Sequence, residues 1–284
     1  MLLQVTMNGL MLGLTYILIA IGFSFIFGIA RIFNFAHGEL YMLGGWLVVI
    51  IFGVWGLNYG LALLVSALCI GLLGVAMDRV FFQPLRGQVI PPLVVALGLQ
   101  LLISAVALII FGEKDVSISS PFSGVTTFGN LTVANERLFV ILISAILIAT
   151  LFLFMRFTRL GLAVRAVPQN MEAATLQGVN INKVCRIAFF IGAIMAALAG
   201  GLLAPVFYVN SFQGHWAVFK AIIIVGVGGA GTLGGTIIAG LLIGLVEAFS
   251  FQFFGSAVSE IIGFAFIIVV LLIRPQGLLG HEST

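Results

Sequence analysis

The feature that most constrains this sequence is a succession of long apolar runs with very few charges between them. A membrane-spanning helix needs about 20 mostly apolar residues. Two of the nine runs are short and flanked by glycine, so we expect them to be half-helices or re-entrant, and we predict eight to nine spans. The nine runs are 4–30, 39–54, 59–80, 93–112, 137–155, 187–207, 217–229, 232–253 and 257–273, of which 39–54 and 217–229 are the short ones.

The composition excludes most other classes of protein. Of 284 residues, 62% are hydrophobic and only 7% are Asp, Glu, Lys or Arg, against about 25% charged residues in an ordinary soluble domain. So few charges cannot cover a soluble fold of this size, which excludes a soluble enzyme, a nucleic-acid-binding protein and a disordered chain. We predict an all-α polytopic membrane protein with one transmembrane domain over residues 1–284.

The distribution of positive charge predicts how the chain is oriented. Cytoplasmic loops of membrane proteins carry an excess of Lys and Arg. The segment 156–186 holds five basic residues and one acid, whereas 113–136 is acidic and polar. We therefore place 156–186 in the cytoplasm and 113–136 outside, which puts the N-terminus outside and the C-terminus inside.

With this orientation the two halves resemble each other in opposite directions. The first repeat, 4–112, begins and ends outside, and the second repeat, 187–273, begins and ends inside. In each, a short glycine-flanked segment follows a full-length one. The span 137–155 and the cytoplasmic loop 156–186 connect them. Inverted repeats with interrupted helices are typical of transporters.

Glycine-rich breaks accompany both short segments, over 34–45 and 226–235. Backbone groups freed by a helix break in a membrane need protein partners or a water-filled cavity, so these breaks are candidates for a solute pathway. Close helix packing is an equally good explanation, and it is the better one for the GxxxG pairs Gly9/Gly13, Gly231/Gly235 and Gly240/Gly244. The pathway candidates are Asn34, His37, Gly38, Glu39, Gly226, Gly228, Gly229 and Gly231.

Ionisable residues inside membrane spans are costly and usually functional. Glu39 and Lys220 are predicted at span starts and Glu247 and Glu260 toward outer ends, where solvation is the simplest interpretation. His37 and Asn34 are best explained as part of a helix-entry cap. The missing chain of central acids argues against a proton-driven carrier and favours a neutral or zwitterionic solute.

The cytoplasmic segment 168–181 predicts a short helix with both ends marked. Asn170 is a good N-cap, Glu172 suits the first turn, and Gly178 suits the position after the C-terminus. A helix over 171–177 is well below the roughly 12–15 residues at which an isolated helix is marginally stable. It therefore needs a docking surface. A groove on a partner protein fits its few apolar side chains, Met171, Ala174 and Leu176, better than a lipid surface does.

Here a resemblance becomes specific. Glu172-Ala173-Ala174-x-x-x-Gly178 resembles the EAA loop of ABC importer permeases, although the usual Ile-x-Leu-Pro does not follow at its usual spacing. Four further segments resemble LivH-type permeases of branched-chain amino acid importers, so that the likeness runs along nearly the whole chain. They are 8–13, 34–39, 226–235 and 274–278.

This resemblance implies a permease subunit that translocates branched-chain or related neutral amino acids. It implies as partners two ABC ATPase subunits, a second related permease and an extracytoplasmic solute-binding protein, in the lipid of a bacterial inner membrane. No cofactor is expected in this chain, since ATP and Mg would be bound by the ATPases. Permeases for urea or short-chain amides belong to the same family and remain an alternative, as does a self-sufficient secondary transporter or a channel. The solute, its contact residues and the pairing of permeases stay open.

Overall fold

The fold, taken from a computed structural model that describes residues 2–128, 131–229 and 231–280, begins with four long helices. Helix α1 (Leu2–Ala30) is followed by α2 (His37–Val48), which continues as a π-helical turn over Val49–Val54. Helix α3 (Tyr59–Met77) is extended by a π-helical turn (Asp78–Phe82) and a 3-10 turn (Gln83–Leu85). Helix α4 (Ile90–Phe111) completes this half.

A small hairpin and three helices connect the halves. Strands β1 (Val125–Phe128) and β2 (Leu131–Ala134) pair antiparallel, with Val125 opposite Ala134. Helix α5 (Asn135–Phe157) follows, and then the shorter α6 (Arg159–Gln169) and α7 (Met171–Leu176).

The second half contains four more helices. These are α8 (Ile181–Leu203), α9 (Gln213–Gly228), α10 (Leu233–Phe254) and α11 (Ser256–Ile273). After α11 the chain folds back, and the backbone N–H of Leu278 donates to the carbonyl of Val227 at 2.7 Å. This return segment satisfies a carbonyl in the last turn of α9 that has no partner within its own helix.

The chain is a multi-pass membrane protein. In the part of the chain that the structure describes, seven helices are long and apolar enough to cross a membrane, whereas α9 and the apolar part of α11 are shorter. All nine apolar segments predicted from the sequence fall on helices.

Helices α1 and α8 form the centre of the molecule. Of the most apolar stretch of α1, 78% is buried inside the protein, against 22% for α5. Helix α1 packs on α8, α9 and α10, while α8 also packs on α2 and α3. Hydrogen bonds tie this centre together, since the Tyr59 hydroxyl donates to the Gly201 carbonyl at 2.9 Å and the Ser66 hydroxyl to the Gly44 carbonyl at 3.0 Å.

The structure corrects several predicted boundaries. Helix α2 begins at His37 rather than at residue 39, and α8 covers Ile181–Leu203 rather than 187–207. Polar residues enter the first turns because Asn180 caps α8 by accepting from the Lys183 N–H at 3.1 Å. The hairpin and α6 lie in segments that we expected to be loops.

Candidate functional site

Helix α2 begins deep in the protein, beside the middle of α1. The chain turns back after Ala30, and the His37 side chain lies 3.1 Å (Nε2) from the Ile19 carbonyl. With a rise of about 1.5 Å per residue, Ile19 lies roughly 16 Å from the C-terminal end of α1. The predicted short segment therefore starts beside the middle of α1.

Helix α9 begins beside the first turn of α2, and the two helices pack side by side there. A Cβ added to Gly38 would lie 1.9 Å from the Gly214 carbonyl oxygen, so only glycine allows the two backbones to approach this closely. Trp216, one turn further along α9, packs edge-on against Tyr16 of α1 at 5.5 Å between ring centroids. The first turns of two short helices thus face each other inside the protein.

Glu39 lies where these two helix ends meet, in the first turn of α2, and it is buried in protein rather than solvated. Its side chain is fully buried, and its Oε1 lies 3.8 Å from His215 Nδ1 at the start of α9. Acidic side chains are favourable near helix N-termini, where the helix dipole is positive. The position of Glu39 at the N-terminal ends of α2 and α9 therefore helps to explain why an acid is tolerated here.

Asn34 and His37 do not form the side-chain cap that we predicted. The residue before α2 is Ala36, no side chain caps the helix, and the backbone carbonyl of Asn34 accepts the N–H of His37 at 3.1 Å. Both side chains are fully buried. They are buried because the chain turns after α1 and packs back against it, and a local sequence pattern does not reveal this turn.

The second glycine cluster packs against backbone. A Cβ on Gly228 would lie 2.5 Å from the Gly235 carbonyl carbon, and one on Gly229 would lie 2.7 Å from the Gly280 nitrogen. Gly229 and Gly231 have φ of +99° and +82°, while Gly226 has open space around its Cβ position. Close packing thus accounts for Gly228 and Gly229, and the pathway role of the cluster stays a prediction.

A cavity of about 590 Å³ opens beside the meeting point of α2 and α9. It is enclosed by α1, α2, α5, α8, α9, α10, α11 and the segment between α8 and α9. Its size falls within the about 300–1,000 Å³ of small-molecule sites. None of the eight pathway candidates lines it. Seven of its nineteen lining residues are aromatic: Tyr16, Tyr41, Phe207, Tyr208, Phe212, Trp216 and Phe251.

Charged side chains of both signs also line this cavity. Glu247 of α10 accepts a hydrogen bond from Lys220 of α9 at 2.9 Å, and Arg137 of α5 donates to the side chain of Asn8 on α1. Lys220 Nζ lies 5.3 Å and 5.6 Å from the ring centroids of Trp216 and Tyr16. Lys220 and Glu247 are thus a largely buried pair rather than two separate residues solvated at span ends.

Sequence analysis missed Arg137, Gln213, Trp216 and Tyr41 as cavity residues. Arg137 offered one signal, since it is a charged residue at the very start of an apolar segment. Gln213, Trp216 and Tyr41 gave no such signal, because they come together only through the packing of α2 and α9 in the folded chain.

At the opposite end of the molecule, α7 forms as the sequence predicts. The Asn170 side chain accepts from the Ala173 N–H at 2.9 Å, and Gly178 has φ of +81°. Ala174 is buried, whereas Leu176 and Met171 are 87% and 44% exposed. Glu172 and Ala173 are exposed as well.

Comparison with known proteins places the chain in a family. The family described as "Branched-chain amino acid transport system / permease component" matches residues 5–271. The chain is 34% identical over 300 residues to LivH, a high-affinity branched-chain amino acid transport system permease protein of Escherichia coli, covering 99% of this chain and 96% of LivH. It is 32% identical over 296 residues to the corresponding permease protein BraD of Pseudomonas aeruginosa, with the same coverage.

A solved structure gives the same fold at much lower identity. PsaBC from Streptococcus pneumoniae in complex with Fab aligns with a TM-score of 0.52 and 12% identity, covering 95% of this chain and 91% of that one. At this identity the likeness concerns the fold alone. The match along almost the full length of the permeases shows that this chain belongs to the family of permease components of branched-chain amino acid transport systems.

Proposed function

We propose that this chain is the membrane-spanning subunit of an ATP-driven importer in a bacterial inner membrane, and that it translocates branched-chain or related neutral amino acids. The observation that carries the proposal is the match over residues 5–271 to permease components of branched-chain amino acid transport systems. The mixed aromatic and charged cavity agrees with a small solute that has an apolar side chain. ATP and Mg are bound by partner subunits and not by this chain.

We further propose that the two halves are inverted repeats, 4–112 and 187–273, joined by α5. Reciprocal contacts support this. A Cβ on Gly22 of α1 would lie 2.6 Å from the Gly192 carbonyl oxygen of α8, and one on Gly192 would lie 2.7 Å from the Gly22 carbonyl oxygen. The pairing of α1 with α8, and of α2 with α9 through Gly38 and Gly214, is the pattern that a pseudo-two-fold axis generates. The cavity then opens toward the outside.

Helix α7 is the proposed coupling helix, docked in a groove of an ATPase subunit. Two exposed apolar side chains, Met171 and Leu176, project from a helix too short to be stable alone. Ala174 packs inward and fixes the helix to this chain. The partners are two ABC ATPase subunits, a second related permease and an extracytoplasmic solute-binding protein.

A polar network ties the start of α8, which follows α7 in the chain, to the segment after α3. Arg86, between α3 and α4, pairs with the buried Asp78 and donates to Asn182 in the first turn of α8. Arg186, one turn later, donates to Gln83 at 3.3 Å. A displacement of α7 would pull on α8 and, through this network, on the cytoplasmic end of α3.

The test is ATP-dependent uptake by the native complex. The complex, purified in mild detergent and weighed by native mass spectrometry, should contain two ATPase chains and a second permease. In proteoliposomes with its solute-binding protein and ATP inside it should accumulate labelled L-leucine, and Glu172→Ala should reduce uptake while leaving the assembly intact. Accumulation of urea but not leucine would support the amide permease, and uptake driven by a proton gradient without ATP would contradict an ATP-driven importer.

A further inference from the structure

We propose that the cavity beside Trp216 is a solute subsite that recognises a free amino acid by both of its charges, with Glu247 binding the ammonium group and Arg137 and Gln213 binding the carboxylate. This inference rests on the proposed function, because it names the residues by which the permease itself would select its solute. It goes further, since it assigns selectivity to this chain in addition to the solute-binding protein.

The carboxylate side is built from donors without an acidic partner. Arg137 donates to the Asn8 side chain, its buried Nε has no hydrogen-bond partner, and among the described residues no acidic side chain forms an ion pair with it. The buried Nε2 of Gln213 is also without a hydrogen-bond partner. Unpaired buried donors cost free energy until an acceptor arrives. A carboxylate is a strong acceptor for a guanidinium and an amide.

The ammonium side is Glu247, whose carboxylate lines the cavity. Lys220 donates to Glu247 Oε2 at 2.9 Å, and Lys220 itself does not line the cavity. A carboxylate offers about four acceptor sites on two oxygens, so its contacts with Lys220 and Tyr16 leave acceptor sites for an ammonium group. Lys220, held between Trp216 and Tyr16, thus positions Glu247 toward the cavity.

The aromatic wall suits an apolar side chain between these two poles. Trp216, Tyr16 and Phe251 come from three different helices and line the same space. Small-molecule sites combine a mostly apolar lining with a few polar groups that fix orientation. An amine or a carboxylic acid with the same apolar group would satisfy only one pole.

Protection of an introduced thiol measures occupancy directly. Gln252 lines the cavity and is exposed, so Gln252→Cys, in a Cys69→Ser background that leaves only the buried Cys185, reports on this space. In the detergent-purified complex, L-leucine should slow alkylation of this thiol at least tenfold. Isocaproate, which lacks the ammonium group, and isoamylamine, which lacks the carboxylate, should protect at least tenfold less at equal concentration.

Substitutions then assign each pole. Glu247→Gln and Arg137→Gln should each abolish protection by L-leucine, while Arg137→Lys should restore part of it. Glu260→Gln on α11 and Arg156→Gln at the far end of α5 change charges that do not line the cavity, so these control variants should leave protection unchanged.

Glu247→Gln leaves Lys220 buried without its partner and risks misfolding, so the double variant Lys220→Met/Glu247→Gln, which removes both charges, is tested in parallel. It should assemble and still fail to be protected.

Equal protection by all three solutes, or leucine protection that survives in assembled Glu247→Gln and Arg137→Gln proteins, would overturn the subsite. Uptake without any leucine protection would overturn the subsite alone, whereas protection in a complex without ATP-driven uptake would support the subsite and contradict the proposed function.

Discussion

At the residue scale, one glycine sets the backbone conformation of the turn after α7. Gly178 ends the α7 region with φ of +81°, and a Cβ there would meet open space. Its requirement is therefore conformational and not steric, because an L-residue pays roughly 1–2 kcal/mol for left-handed backbone. A second feature at this scale is Asp78, whose fully buried side chain depends on its ion pair with Arg86.

Gly178→Ala should lower ATP-driven leucine uptake several-fold, since the strain of about 1–2 kcal/mol alters the exit of α7 without filling any occupied space. Asparagine tolerates left-handed backbone better than most residues, so Gly178→Asn is the matched control and should retain more uptake. Equal uptake by both variants and the unchanged protein would contradict a role for this turn in coupling.

Arg86→Ala should destabilise the protein strongly. It leaves a buried carboxyl group without its partner, a loss of about 3–5 kcal/mol for a broken buried pair. The double variant Asp78→Asn/Arg86→Gln should recover part of that loss, and Arg79→Gln, at an exposed arginine in the same segment, should change little. Thermal unfolding of the purified protein gives the ranking, and a double variant less stable than Arg86→Ala would refute the pairing argument.

At the scale of elements, glycine contacts set the distance between α1 and α10. A Cβ on Gly244 would lie 2.3 Å from the Gly13 nitrogen, and one on Gly9 would lie 3.0 Å from Leu245 Cα. In a membrane, helices associate through close packing rather than hydrophobic burial, and small residues permit it. The two GxxxG pairs, Gly9/Gly13 and Gly240/Gly244, therefore face each other, which confirms the packing explanation for them.

Gly244→Ala should lower the unfolding temperature of the purified protein, because the new methyl group meets backbone that has no alternative position. Gly263→Ala in α11 has open space around the added methyl group. It should be neutral or slightly stabilising, since alanine favours helix over glycine by up to about 1 kcal/mol. If both variants unfold at the same temperature, the close approach of α1 and α10 is wrong.

At the scale of the whole molecule, the cavity and α7 lie at opposite ends of the protein. In the proposed orientation the cavity faces outward and α7, the proposed coupling helix, faces the cytoplasm. The cavity is bounded by the first turns of α1 and α5 and by the segment between α8 and α9, whereas α7 lies at the other end of α5 and α8. The first turns of α2 and α9 meet between them. A rearrangement started at α7 would reach the cavity through α8, α9 and the contacts at Gly38 and Gly214.

The proposed orientation predicts which loops face the outside. In right-side-out membrane vesicles and a Cys69→Ser background, an impermeant thiol reagent should label Ser117→Cys, which precedes the hairpin, and not Gln88→Cys, between α3 and α4. Both positions are exposed. Permeabilised vesicles should give labelling at both. Labelling of Gln88→Cys in sealed vesicles would reverse the orientation.

The sequence alone determined the elements that depend on local information. Apolar length predicted the nine helical segments, and the caps at Asn170 and Gly178 predicted α7, because hydropathy and capping are properties of neighbouring residues. The resemblance identified the family for the same reason, since its motifs are short and contiguous. Helix α6 was missed although its buried residues Gly161, Val164 and Val167 recur every three positions, as they do on one face of a helix. The hairpin was missed because its strands, Val125–Phe128 and Leu131–Ala134, are only four residues long.

Only the tertiary structure decided which polar residues meet. Lys220 and Glu247 are 27 residues apart, and Arg137 and Asn8 are 129 apart, so no local pattern pairs them. The depth of Glu39 depends on the turn after Ala30, which brings α2 back to the middle of α1. Hydropathy predicts that a segment lies in the membrane, but the surroundings of a charge within that segment depend on packing. The cavity that Arg137 and Glu247 line is therefore a property of the folded chain.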